Sequence, residues 1–172
     1  MKFYYYWLAV FVFVIDYLSK KWVEHSLDMG QTKQVLGDFF IITSIRNKGA
    51  AFGILQEQRW LFIVITLIVV GAIFWYLTKN RNSGKVWLLT GLGLVLGGAI
   101  GNFMDRLLYG QVVDFLQFTF GSYVFPIFNI ADSGICIGVG LILLDALLTS
   151  KKENGDSNGN ERNGQEGHQF IQ

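Results

Sequence analysis

Most of the acidic residues that fall among apolar neighbours in this chain are accompanied by amides or cations. "DYLSK" carries Asp16 and Lys20 at i and i+4, which is one face of a helix. "GNFMDR" brings Asn102, Asp105 and Arg106 together, "VVDF" contributes Asp114, and "FNIADS" places Asn129 and Asp132 at i and i+3. A charged carboxylate near mid-membrane costs about 2.5–3.5 kcal/mol on insertion scales, so residues of this type in apolar runs point to function. Two carboxylates sharing a desolvated site do not both ionise easily, and one keeps a proton near neutral pH. Such a pair can take a proton from water while giving one to a peptide carbonyl. The bland alternative is a structural ion network in which Asp16 satisfies Lys20 and Asp105 satisfies Arg106. Asp114 and Asp132 have no cation beside them in sequence, so that alternative serves them less well.

The elements that must carry these residues are membrane spans. Of 172 residues 52% are hydrophobic and only 16% charged, a profile that suits a membrane protein better than a soluble domain. The net charge of +1 gives no basic field for nucleic acid. The single cysteine, Cys136, excludes an internal disulfide and a cysteine-rich zinc site. Within its apolar run it reads as a small buried hydrophobe. The two histidines, His25 and His168, make no metal-ligand pattern, and no metal is expected.

A span needs about 20 mostly apolar residues, and residues 3–23, 60–78, 86–107 and 126–148 meet that need. The first has no small-x-small cleavage site after it and reads as a retained span rather than a signal peptide. The third carries Gly93, Gly97 and Gly101, and the fourth Gly134 and Gly138, spacings that let neighbouring helices approach closely. Residues 24–59 cannot cross a membrane. Within them "DFFIITSIRN" has strand character, and "GAAFGILQEQ" reads as a short amphipathic helix. Residues 151–172 lack apolar periodicity and are expected to be disordered. The expected fold is therefore an all-α membrane protein: four transmembrane helices (residues 1–150) with a small extracytoplasmic β-sheet and a short interfacial helix.

Lys79, Arg81 and Lys85 crowd the short loop 79–85, which places that loop and both termini in the cytoplasm. Four alternating spans then put the end of span one, the end of span three and the start of span four on one side. Those three places hold nearly all the polar residues named above. Pro126 fits the first turn of the fourth helix, and at about 1.5 Å per residue Asp132 lies about 9 Å beyond it. Asp145 lies about 20 Å from Asp132 by the same rise and belongs to the opposite interface. The residues leave open whether Asp105 or Asp114 is the second carboxylate. They also leave two rival functions. A proton-coupled transporter subunit fits less well, since no internal repeat is visible and span two is wholly apolar. A scaffold explains the glycines but not the gathered polar residues.

The ordered blocks "DYLSK", "RNKGAAFGIL", "GGAIGNFMDR", "VVDF" and "FNIADS" resemble those of the signal peptidase II family, intramembrane aspartic peptidases of bacteria, over residues 16–145. One departure is Tyr17, where Gln commonly follows the first Asp. The resemblance implies that Asp114 and Asp132 form the catalytic dyad. It gives supporting roles to Asp16, Lys20, Asn47, Asn102, Asp105, Arg106 and Asn129. It further implies a lipid-modified prolipoprotein substrate cut before its lipidated cysteine, membrane lipid as the surroundings, no cofactor, and a multi-pass place in the bacterial inner membrane. Oligomeric state is not set by the sequence, and a monomer is the default expectation.

Overall fold

The computed structural model describes residues 3–50 and 54–166. Its elements run α1 (Tyr4–Ser26), β1 (Thr32–Leu36), β2 (Phe40–Asn47), α2 (Arg59–Lys79), α3 (Val86–Tyr109), β3 (Val112–Phe120), β4 (Tyr123–Val124) and α4 (Ile130–Glu166). Among the described residues three helical stretches are long and apolar enough to cross a membrane: Arg59–Lys79, Val86–Tyr109 and Ile130–Lys151. The fourth helix, α1, is of similar length but more polar in composition, and its pattern explains why. Tyr5, Ala9, Val12, Asp16, Lys20 and Val23 are buried, a stripe at helical spacing, while Trp7, Phe11, Val14 and Leu18 face outward. The charges that lower its hydropathy point into the protein, and its apolar face is left for lipid.

Helix α3 is the centre of the bundle because glycine leaves it bare on two sides. A Cβ on Gly93 would stand 2.7 Å from the Tyr5 carbonyl oxygen of α1, and one on Gly97 2.5 Å from that of Ala9. On the other side a Cβ on Gly91 would meet the Gly138 carbonyl of α4 at 2.6 Å. Backbones this close hold through van der Waals contact that lipid cannot match. By contrast α2 lies against α3 and exposes Leu61, Val64, Ile65, Leu67 and Ile68.

At one end of the bundle the four strands form an antiparallel sheet in the order β1-β2-β3-β4. Strand β2 lies where "DFFIITSIRN" predicts it. Strand β3 falls in a stretch read from the sequence as loop, although "VVDFLQFTF" is rich in β-branched and aromatic residues and ends at a turn. That turn, Gly121-Ser122, joins Phe120 to its partner Tyr123, with Gly121 at φ +63° as a tight hairpin requires.

Three further expectations differ from the structure. Helix α4 begins at Ile130 rather than Pro126, because Phe128 is drawn into the sheet: its carbonyl accepts from the Phe115 and Leu116 N–H groups at 3.0 and 2.8 Å. The α4 backbone stays helical to Glu166, through much of the segment expected to be disordered. Residues 167–172 lie outside the described residues. The short helix expected over "GAAFGILQEQ" falls partly on residues 51–53, also outside them. Beside these, residues 54–58 are turn rather than helix, with Leu55 at φ +55° and Glu57 at φ +64°, values no right-handed helix contains.

Candidate active site

Asp132 stands on the first turn of α4, the third helical residue after Asn129. The Asn129 side-chain oxygen accepts the Asp132 N–H at 2.9 Å, and Asp132 Oδ2 accepts the Asn129 N–H at 3.3 Å. This reciprocal pair is a capping box, worth about 1 kcal/mol at its cap residue alone. The next free N–H of the turn, that of Ala131, donates to Asp16 Oδ1 at 2.9 Å, so α1 reaches across to complete the cap. A helix N-terminus carries roughly half a positive charge. The carboxylate that looked misplaced in an apolar run sits where that partial charge stabilises it.

Asp114 comes from β3 and is 3% exposed. Its Oδ1 accepts from Asn129 Nδ2 at 2.7 Å and its Oδ2 from Asn47 Nδ2 at 2.9 Å. The β2–β3 pairing, Asn47 opposite Val112 and Ile45 opposite Asp114, puts Asn47 within reach. Burial first, and then the charge of Asp132, push Asp114 up to about 6; the amides of Asn47 and Asn129 and the charge of Lys20 oppose that rise. Asn129, fully buried, therefore touches both carboxylates, one through its side chain and the other through its backbone.

Behind them lies an ionic cluster. Lys20 Nζ meets Asp16 Oδ2 at 2.7 Å, Asp105 Oδ2 at 2.8 Å and Asn102 Oδ1 at 3.1 Å. Asn102 Nδ2 donates in turn to Asp132 Oδ1 at 2.7 Å. Gly101 makes room for this: a Cβ there would stand 2.5 Å from Asp16 Oδ2. The expected Asp16–Lys20 pair is present. Asp105 turns to Lys20 instead of Arg106, since adjacent residues on a helix do not face one another. Arg106 lies over the Phe62 ring at 4.6 Å and donates to the Gly49 carbonyl at 2.9 Å.

A cavity of about 260 Å³ opens onto Asn47, Asn102, Arg106, Asp114 and Asp132, with Phe125 to Phe128 and Ile135 among its apolar walls. Cys136 also lines it and is exposed, not the buried hydrophobe expected, because its face of α4 meets the cavity instead of a neighbouring helix. Of the residues singled out in the sequence, Asp16, Lys20, Asn47, Asn102, Asp105, Arg106, Asp114, Asn129 and Asp132 all belong to this one constellation. Asp145 makes no contact with it. The sequence reading missed the Ala131 N–H and took Gly101 for a packing glycine alone, since only a three-dimensional neighbour reveals their place beside Asp16. Among the described residues no three His, Cys, Asp or Glu side chains converge as a metal set would.

A bundle with a cavity, two carboxylates held by amides and an apolar outer face define a membrane protein built for acid–base chemistry. Comparison narrows the class. The family model described as signal peptidase (SPase) II matches residues 8–148. The lipoprotein signal peptidase of Bacillus pumilus (strain SAFR-032) is 48% identical over 149 residues, 87% of this chain and 96% of that protein. That of Halalkalibacterium halodurans is 44% identical over 154 residues, 90% and 98% of the two chains. A bacterial membrane enzyme solved by the in meso method at 2.3 Å resolution superposes with a TM-score of 0.77 at 40% identity, covering 85% of this chain and 88% of that one. A second such structure, at 1.9 Å, gives 0.72, also at 40% identity, covering 81% and 90%. The chain belongs to the signal peptidase II family.

Proposed function

We propose that this protein is a lipoprotein signal peptidase whose Asp132 and Asp114 cleave lipid-modified prolipoproteins before the lipidated cysteine. The observation that carries the residue assignment is that Asp114 and Asp132 both line the cavity and share Asn129. Asp105, the sequence's other candidate, is pledged to Lys20. Asp132 is the base: it takes a proton from a water in the cavity, and the resulting hydroxide attacks the scissile carbonyl carbon. Asp114, whose proton affinity burial raises, gives its proton to the carbonyl oxygen. Collapse of the tetrahedral intermediate breaks the C–N bond: the proton on Asp132 passes to the leaving amine, and a hydroxyl of the intermediate returns its proton to Asp114 as the new carboxyl forms. The amides of Asn47, Asn102 and Asn129 hold both carboxylates in place throughout, so little reorganisation is needed as charge moves.

The open side of the cavity suits a signal helix entering laterally, with its acyl chains still in lipid. Phe39, in the turn before β2, is exposed, and with Phe40, Ile41 and Ile42 it would rest at the interface and steady the substrate. The charged loop 79–85 argues for cytoplasmic termini, which places the sheet and the carboxylates at the extracytoplasmic face. An impermeant thiol reagent on intact cells should label Gln117→Cys and not Ser83→Cys in a Cys136→Ser background; the opposite pattern inverts the topology. The function is tested with purified protein, a lipidated precursor peptide and its unlipidated twin. Cleavage of the first alone, at the bond before the cysteine and unaffected by EDTA, is expected. Equal cleavage of both, or loss in EDTA restored by zinc or magnesium, overturns it.

A further inference from the structure

Asn102 offers its amide nitrogen to Asp132 Oδ1 at 2.7 Å and its amide oxygen to Lys20 Nζ at 3.1 Å. The two ends of an amide are nearly the same size, so its orientation is decided by its partners and not by packing. Here the oxygen end meets two donors, Lys20 Nζ and, at 3.2 Å, Asn129 Nδ2. Turned over, the amide would set its N–H groups against an ammonium and its oxygen against a carboxylate. Both contacts would be repulsive in a site this dry. Lys20 is itself fixed. It is 3% exposed, and Asp16 and Asp105 hold it at 2.7 and 2.8 Å from opposite helices.

We infer that Lys20 is a positioning residue for the cleavage reaction: anchored by Asp16 and Asp105, it locks the Asn102 amide in the sense that donates to Asp132. The inference rests on the reading of Asp132 as the base. The N–H from Asn102 stabilises Asp132 as a carboxylate, the form that accepts the proton of water, and restrains its rotation about the Cα–Cβ bond. Lys20 never touches substrate; beside the effect of its charge on Asp114, its positioning role runs through the amide. The charged groups around Asp132 are Asp16 and Lys20 from α1, Asp105 and Arg106 from α3, and Asp114 from β3. Arg106 donates to the backbone carbonyls of Asn102 and Gly49 and not to the Asn102 side-chain oxygen, so it does not substitute for Lys20.

A lysine present only to balance charge would be dispensable together with one of its two carboxylates. Lys20→Met with Asp105→Asn makes that substitution: it leaves the formal charge of the cluster unchanged and keeps Asp16 on the Ala131 N–H. If Lys20 orients Asn102, the charge-balanced pair does not restore activity. With the ammonium gone only the longer Asn129 contact at 3.2 Å still holds the amide oxygen, so the amide can turn that oxygen to a protonated Asp132 and the dyad keeps its proton to higher pH.

The experiment measures kcat and KM against pH for the full-length protein in a lipid-containing medium, using the lipidated precursor peptide, with thermal melting in parallel. Lys20→Met and the Lys20→Met/Asp105→Asn pair are each expected to lose roughly a hundredfold in kcat, the scale set by a misplaced supporting group. KM should change by no more than about twofold, as for an interaction made in the transition state. The alkaline limb of kcat/KM should move to higher pH in both. Adding Asn102→Ala to either should cost little more, since the two residues act in series. Native kcat and an unmoved limb in the charge-balanced pair overturn the inference. So does a fall in kcat with the native pH profile, or full additivity with Asn102→Ala. Should Lys20→Met alone fail to fold, the charge-balanced pair carries the test. Asp132→Asn is run alongside: if it still cleaves, the reading of the dyad has failed rather than the role of Lys20.

Discussion

The two ends of this bundle are tied by opposite means. At the end away from the sheet, Tyr4, Tyr5 and Tyr6 of α1 reach out with hydroxyls: Tyr4 to the Val86 carbonyl and Thr90 of α3, Tyr5 to the Leu77 carbonyl, Tyr6 to Thr78 of α2. Each bond is neutral and leads to no charged group. At the sheet end the same α1 sends in Asp16 and Lys20, and the bonds run on through Asn102 and Asn129 to two carboxylates with a cavity beside them. One end uses polar atoms to close a structure, the other to hold groups ready for proton transfer. A buried charged network is weak evidence for stability, because desolvation offsets much of its attraction. Its persistence at one end only is what marks that end as the working one.

The contrast is broken most sharply on α4, which carries a carboxylate towards each end. Asp132→Asn and Asp114→Asn should each cut turnover by about 10²–10⁴-fold, the range for a lost acid or base, with the melting temperature held or raised. Asp145→Asn should leave turnover unchanged. If Asp105→Asn were dead and stably folded while Asp114→Asn cleaved normally, the dyad would be Asp105 with Asp132. Next in size is a pair of glycines on α3. Gly101→Ala pushes on Asp16 Oδ2 and Gly93→Ala on the Tyr5 backbone, and each overpacking should cost about 1–3 kcal/mol of stability. Only Gly101→Ala should also lower kcat, because Asp16 caps the turn that bears Asp132.

A smaller effect tests the proton. Asn47 donates to Asp114 and favours its charged form, so Asn47→Leu should raise the affinity of Asp114 for its proton above the native value of about 6. A dyad that works with one proton loses activity as pH rises past that value, so the alkaline limb of kcat/KM should shift upward in this variant. A downward shift would contradict the assignment of the proton to Asp114. The least effect belongs to the tyrosine end: Tyr5→Phe removes one hydrogen bond, about 0.5–1.5 kcal/mol, and should change stability in detergent without touching cleavage.

Periodicity made the spans, the glycine seam and the Asp16–Lys20 pair legible in the sequence, since each lives on one helix or repeats along it. The rest depends on chain segments meeting. Pro126 looked like a helix start, yet Phe128 pairs with Leu116, and the cap falls to Asn129. Asp105 looked bound to its neighbour Arg106, but its partner comes from another helix. The pattern of residues left Asp105 and Asp114 open and the family resemblance chose Asp114; β3, which carries it, was hidden because a strand that pairs with residues so far back shows only a short run of aromatic and branched residues. The cavity beside Cys136 has no sequence signal at all.

The placing of Lys20 one turn after Asp16 has a consequence for how the protein is made. Helix α1 emerges from the ribosome long before α3, and must enter the bilayer without Asn102 or Asp105 to receive its charges. Because Asp16 and Lys20 reach each other within the same helix, at 2.7 Å, the nascent span brings its own counter-ion and presents the insertion machinery with a nearly neutral segment. Asp105 arrives later, on α3, to a lysine already in position. Replacing Lys20 by an apolar residue would disturb the folded site and would also ask a lone carboxylate to cross into lipid first. Yield of inserted protein would then fall in addition to the activity per molecule.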